Sequence, residues 1–242
     1  MSCFLTNSSV GKKLVMSITG CFLVLFILFH MSMNITMLFS REGYNAICEF
    51  LGANWYALVA TVILAAGVLV HFVYAFILTL DNYRARGKQR YAVTVQEKGV
   101  SWASKNMLVL GIIVVLGLIL HLVHFWSKMQ LVEIMGEHFT VVDGLNAPVA
   151  PTNGAALMAI TFSNPINLIL YIVWFAALWL HLTHGVWSMF QTAGWANDTW
   201  YPRLKCGAQI VATLIFLGFT LVAVMCFLNH EAYLTELGYT LK

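Results

Sequence analysis

An all-α, polytopic membrane protein is predicted by three features of this sequence. Only 10% of its 242 residues are charged and 60% are hydrophobic, whereas a soluble domain carries roughly 25% charged residues. Five apolar runs are each long enough to cross a bilayer as a helix. The basic residues collect at alternate ends of those runs. A chain so poor in charge cannot clothe its own surface with polar groups, so lipid must cover it. Backbone N–H and C=O groups find no water in lipid, and a run of this length satisfies them only as a helix.

The spans are expected at residues 14–39, 55–80, 107–128, 165–190 and 207–228, within a single membrane domain covering 1–242. Asn7, Ser8 and Ser9 offer side-chain caps ahead of the first span. Lys12 and Lys13 precede an apolar run too long for a cleavable signal, so that helix should be retained. Ser163 and Asn164 stand before Pro165, which suits proline in the first turn of the fourth span. The segment from Gly136 to Asn164 contains Pro148, Pro151, Gly144 and Gly154, and is expected to be irregular chain or a short surface helix.

The connecting segments divide the basic residues ten to three. One side carries Lys12, Lys13, Arg84, Arg86, Lys88, Arg90, Lys98, Lys105, Arg203 and Lys205; the other carries Arg41, Lys128 and Lys242. The positive-inside rule then places the N-terminus in the cytoplasm and the C-terminus on the outer side. The net charge of +3 arises from this one-sided distribution and points to no nucleic-acid partner. The basic loop between Asp81 and Lys105 is expected to offer a docking surface. Cys3, Cys21, Cys48, Cys206 and Cys226 are scattered without a Cys-x-x-Cys, so neither an iron–sulfur cluster nor a covalently attached haem is indicated.

Six of the eight histidines lie inside spans: His30, His71, His121, His124, His181 and His184. Ionisable groups within spans are costly and usually face a bundle interior or a site. With a rise of about 1.5 Å per residue, His30 lies about 27 Å from Lys12 and His124 about 28 Å from Lys105. On the returning helices His71 lies about 15 Å from Asp81, and His181 about 16 Å from Thr192. His30 and His124 therefore share an outer level, and His71 and His181 an inner one.

Two levels of two imidazoles suit haem iron, which accepts histidine at both axial positions. Iron ligated in this way has no open position for substrate and transfers electrons. Each ligand would need its second ring nitrogen held by a carbonyl or hydroxyl. Gly67, Ala75, Gly117 and Gly185 lie where a flat macrocycle could approach the backbone, although helix packing explains small residues equally well. Zinc is the competing metal, because His121-x-x-His124 and His181-x-x-His184 supply four nitrogens. It leaves His30 and His71 unexplained. Depth does not choose between neighbours, since His121 and His124 are about 300° apart on a helix, as are His181 and His184.

The pattern resembles the five-helix, dihaem cytochrome b membrane anchor of succinate dehydrogenases and fumarate reductases. The matching residues are His30-Met-Ser-Met-Asn34, His71-Phe-Val-Tyr74, His124-Phe-Trp126 and His181-Leu-Thr-His184-Gly185-Val-Trp187-Ser188. As in that family, the fifth span supplies no histidine before His230. The resemblance implies two haems b, the outer one on His30 and His124 and the inner one on His71 and His181, with His121 and His184 as additional site residues. It implies a flavoprotein and an iron–sulfur subunit docked on the cytoplasmic side of a bacterial inner membrane, a dimer of the whole complex, and menaquinone as electron partner. FAD and iron–sulfur clusters belong to the partner chains. Glu49 and Glu42 are the candidates for proton exchange with a quinol. Three alternatives have other signatures: a quinone-reacting cytochrome b of a hydrogenase or formate dehydrogenase, a histidine-based metal transporter, and an anchor without cofactor.

Overall fold

A computed structural model describes residues 8–86 and 102–242. Lys88, Arg90 and Lys98, most of the proposed docking loop, and Cys3 and Asn7 lie outside the described residues. Five long apolar helices carry the architecture: α1 (Ser9–Phe39), α3 (Trp55–Arg86), α5 (Met107–His124), α8 (Pro165–Thr192) and α9 (Trp200–Glu236). Shorter helices are α2 (Arg41–Phe50), α4 (Trp102–Lys105), α6 (Gln130–Ile134) and α7 (Gly154–Ser163). Large apolar side chains such as Leu25, Val62, Leu69, Leu116 and Leu217 point outward along the long helices. Such continuous apolar exposure is compatible with lipid and not with water. The chain is an all-α, multi-pass membrane protein.

Local chemistry sets the helix ends. Ser8 Oγ accepts from the Gly11 amide at 2.8 Å and caps α1. Ser40 does the same for α2 through Gly43 N at 2.9 Å, with Glu42 in the first turn. Asn164 Oδ1 accepts from Ile166 N at 2.8 Å, beside Pro165 at the start of α8. Gly194 (φ 81°) and Gly238 (φ 83°) let the chain leave α8 and α9. At these exits Trp195 N returns to Phe190 O and Tyr239 N to Leu234 O. α9 bends at Asn229, whose side chain donates to Met225 O at 3.0 Å.

The contacts divide into two compact units. One gathers Met1–Ile27, Ile63–Ile112 and Trp179–Thr213. Its polar ties are the Lys12–Asp81 ion pair at 2.6 Å and the Trp179 Nε1 donation to Thr213 Oγ1 at 3.1 Å. The Phe22 ring packs on Gly67, where a Cβ would fall 2.9 Å from it.

The other unit gathers Leu28–Val62, Ile113–Leu178 and Leu214–Lys242, and contains the main apolar core. The segment expected to be irregular or a surface helix holds α7, which is the most buried element of this core: Ala155, Ala156, Leu157 and Ala159 have no exposed surface. Its sequence, GAALMAITFS, has no polar face to show to water. Its first turn is satisfied internally. Asn153 Oδ1 accepts from Ala156 N at 3.1 Å, and Asn45 of α2 accepts from Ala155 N at 2.9 Å. Cys48 lies against Gly154, where a Cβ would sit 2.6 Å from its Sγ. Burial pushes the Cys48 thiol up to about 11, and pushes the Tyr44 hydroxyl well above its ordinary value.

Two outcomes follow. In detergent at pH 8, a maleimide should modify the exposed Cys206 and leave the protonated, enclosed Cys48 unmodified by mass spectrometry. Replacing Gly117 by alanine would put Cβ 2.0 Å from Trp174, whose indole is held by Val114 O at 3.0 Å. Gly117→Ala should cost at least about 1–3 kcal/mol, read as a lowered Tm.

Candidate functional site

Within the first unit, α3 supplies His71 and α8 supplies His181 and His184. His71 Nδ1 lies 3.1 Å from Thr19 Oγ1. Thr19 has one proton, and its oxygen stands 2.9 Å from Val15 O and 3.1 Å from Met16 O, so that proton goes back to its own helix. Thr19 is then left to accept from His71 Nδ1–H. With Nδ1 carrying the proton in this way, Nε2 keeps a lone pair, the form a metal ligand requires. The ring leans on Gly20, where an added Cβ would sit 3.3 Å from His71 Cε1.

His181 approaches Gly111 in the same manner, with 3.9 Å between its Cε1 and the position of a Cβ. Nδ1 of His181 and Nδ1 of His184 are both buried without a hydrogen-bond partner. His184 also meets Trp187 edge-on at 5.2 Å. Around Gly185 there is open space, with nothing within 4 Å of an added Cβ.

Within the second unit, α1 supplies His30 and α5 supplies His121 and His124. His30 and His121 are in ring contact, 5.8 Å apart and nearly perpendicular at 84°. His121 is surrounded further by Phe125 at 5.2 Å, Trp174 at 5.8 Å and Tyr171 at 6.4 Å. His124 meets the same nest from another side: it stacks on Tyr171 at 5.8 Å and 17°, with Nδ1 3.3 Å from the phenol oxygen. On α1, Asn34 Nδ2 donates to His30 O at 2.7 Å, and Tyr44 Oη donates to Asn34 Oδ1 at 3.2 Å.

Each pair of histidines expected to share a level thus falls within one unit, and the third span brings two histidines to His30's unit. Of the glycines expected near a macrocycle, Gly67 and Gly117 are filled by Phe22 and Trp174, and Gly185 faces open space. Gly20 and Gly111, which do touch histidine rings, carry no sequence signal beyond being glycines. Thr19 and Tyr171 also escape sequence reading, because their partners lie 52 and 47 residues away.

Also in the second unit is an open hollow of about 430 Å³, lined by Glu49, Ala53, Asn54, Glu133, Glu137 and His138, among others. Glu133 accepts from the Ala53 amide. Gln130 makes three side-chain hydrogen bonds: Oε1 accepts from Thr61 Oγ1 and Trp126 Nε1 at 2.9 Å each, and Nε2 donates to Gly52 O at 3.2 Å. Glu49 lies in the hollow, whereas Glu42 is exposed in the first turn of α2 and does not line it.

Among the described residues, no three His, Cys, Asp or Glu side chains converge to cage an ion. Four-nitrogen zinc binding therefore has no assembled cage there, while a group needing two imidazoles is untouched by this. The residues fit such a group on two counts, a hydroxyl against Nδ1 of His71 and open space at Gly185, while the buried Nδ1 atoms of His181 and His184 are not held by a partner. No family model matches the chain, and neither a curated protein nor a solved structure is similar to it. Its chemistry rests on its own residues.

Gln130→Ala would leave three polar groups unpaired, and should cost about 1–3 kcal/mol of stability by thermal unfolding.

Proposed function

We propose that this chain is the membrane anchor and electron-transfer subunit of a succinate:quinone oxidoreductase, with two bis-histidine haems b. The observation that carries the reading is the sorting of span histidines into two sets, one in each compact unit, each drawing on two helices. The inner haem is assigned to His71 and His181, and the outer one to His30 and His124. His124 is preferred to His121 because Tyr171 engages its Nδ1 as Thr19 engages that of His71, and because His124-Phe-Trp126 matches the family pattern. When bound, the haems would supply one-electron transfer between a partner iron–sulfur subunit and the quinone pool.

The protein's own residues do the rest. Thr19 and Tyr171 orient imidazoles, and Gly20 and Gly111 allow rings to lie against neighbouring helices. The packed core around α7 keeps water from the aromatic nest of His30 and His121. Quinol oxidation releases protons, and Glu49 in its hollow is the acceptor assigned to them. The basic ends of the spans face the cytoplasm on this reading, where flavoprotein and iron–sulfur partners dock.

The purified, dithionite-reduced protein should show a cytochrome b α-band with about two haems per chain. Protein that binds zinc and no haem refutes the proposal. His71→Ala or His181→Ala should remove one spectral component, and His30→Ala or His124→Ala the other. Loss of the outer haem in His121→Ala, with His124→Ala intact, exchanges those two roles. In the assembled complex, Glu49→Gln should slow quinol oxidation by roughly 10²-fold without changing the haem spectrum, while Glu42→Gln leaves both unchanged. Co-purification of a flavoprotein separates this reading from a hydrogenase cytochrome.

A further inference from the structure

The Thr19–His71 contact admits a more specific conclusion, which rests on the haem reading above. We infer that Thr19 is a positioning residue that sets the electron-donating strength of His71 and thereby the reduction potential of the inner haem.

The hydroxyl of Thr19 is not a free rotor. Its proton is directed to Val15 O at 2.9 Å or Met16 O at 3.1 Å, one turn back along α1. Toward His71 it presents only lone pairs, at 3.1 Å from Nδ1. An imidazole whose Nδ1–H is held by such an acceptor is a stronger donor through Nε2, because negative charge is drawn toward the ring. A stronger donor favours ferric over ferrous iron and lowers the potential.

The opposite imidazole carries no such handle. His181 Nδ1 is buried and has no hydrogen-bond partner, so the groups that bond to this pair of ligands, the Thr19 hydroxyl and the Met16 backbone, both act on His71, and Thr19 is the side chain among them. The neighbouring glycine makes the arrangement possible. A Cβ at position 20 would lie 3.3 Å from His71 Cε1, inside ordinary contact distance, so Thr19 can approach only because Gly20 leaves the ring its place. One turn of α1 thus both positions the ring and loads its far nitrogen.

Thr19→Val keeps the shape and removes the acceptor, and Thr19→Ser restores the hydroxyl. The test is a redox titration of the α-band in purified protein, reading the spectral component that His71→Ala lacks. Thr19→Val should raise the midpoint of that component alone. A tenfold loss of ferric-state preference would appear as about 59 mV for a one-electron couple. Thr19→Ser should return toward the wild-type value. Electron paramagnetic resonance of the ferric protein should show a changed signal for the same haem in Thr19→Val, and also in Gly20→Ala, which displaces the ring while leaving the hydroxyl in place.

If Thr19→Val retains two haems with unchanged potentials and resonance, the inference is overturned and the dihaem reading stands. Wild-type protein without haem would overturn that reading instead. Should Thr19→Val fail to assemble, the comparison of Thr19→Ser with Thr19→Ala decides: equal midpoints refute the role, and a raised midpoint in alanine alone supports it.

Discussion

A neutral imidazole has one N–H and one lone pair, and hydrocarbon satisfies neither. That constraint governs this protein. Leaving a polar group unpaired in an apolar medium costs several kcal/mol, so a span accepts histidine only where neighbours or a ligand meet both nitrogens. Thr19 meets one nitrogen of His71, and Tyr171 meets one of His124. His181 and His184 each keep a buried nitrogen without a partner. A soluble protein could leave such atoms to water; a bilayer core supplies none.

The rest of the intramembrane polarity is consumed locally. Ser17, Ser32, Thr79 and Thr192 each return their hydroxyl proton to the carbonyl four residues back, and Thr183 and Ser188 to the one three back. These groups satisfy themselves within one helix and need no cofactor or partner. Thr61 instead donates to Gln130 of another segment, and Thr220 keeps a buried hydroxyl without a partner. His230, near the end of α9, also folds back, its Nδ1 2.6 Å from Phe227 O, but His71 and His124 do not. They reach across to other segments, and they dictate where glycine is tolerated beside them. Gly117 is required by Trp174, a Cβ at Gly20 would press on the His71 ring, and Gly111 leaves ordinary contact distance to His181.

Much of the architecture is legible from composition and ends. The spans, the Ser8 cap and the Pro165 start follow from short-range rules, because each depends on residues within one or two turns. The place of α7 does not. Its ten residues are too few to span and too apolar for a surface, and burial comes from long-range packing on α2 that a single chain does not announce. Asn45 illustrates the point: it looks like an ordinary helix residue, yet it holds the first turn of α7 from 110 positions away. Axial rise is a local quantity, so the sequence can rank the histidines by depth. Which nitrogen faces which neighbour it does not tell, since that depends on side-chain direction across helices. Depth therefore left His121 and His124 indistinguishable, although one enters an aromatic nest against His30 and the other stacks on Tyr171.

The titratable groups are separated, with imidazoles within the spans and carboxylates at their margins. Among the described residues, beyond Asp81 and Glu236, at the ends of α3 and α9 and both in ion pairs, the carboxylates lie outside the long helices or in the final turns of α9. Proton transfer through a bilayer needs groups that gain and lose charge at intervals along the route. The deep segments offer imidazoles held by hydroxyls and aromatic rings, an arrangement suited to holding a ligand still. The hollow bordered by Glu49, Glu133 and Glu137 is open and acidic, and there a released proton can meet a base and then water. On the proposed reading, His30 and His124 would hold the group that takes electrons from a quinol, and Glu49 in the hollow would take its protons.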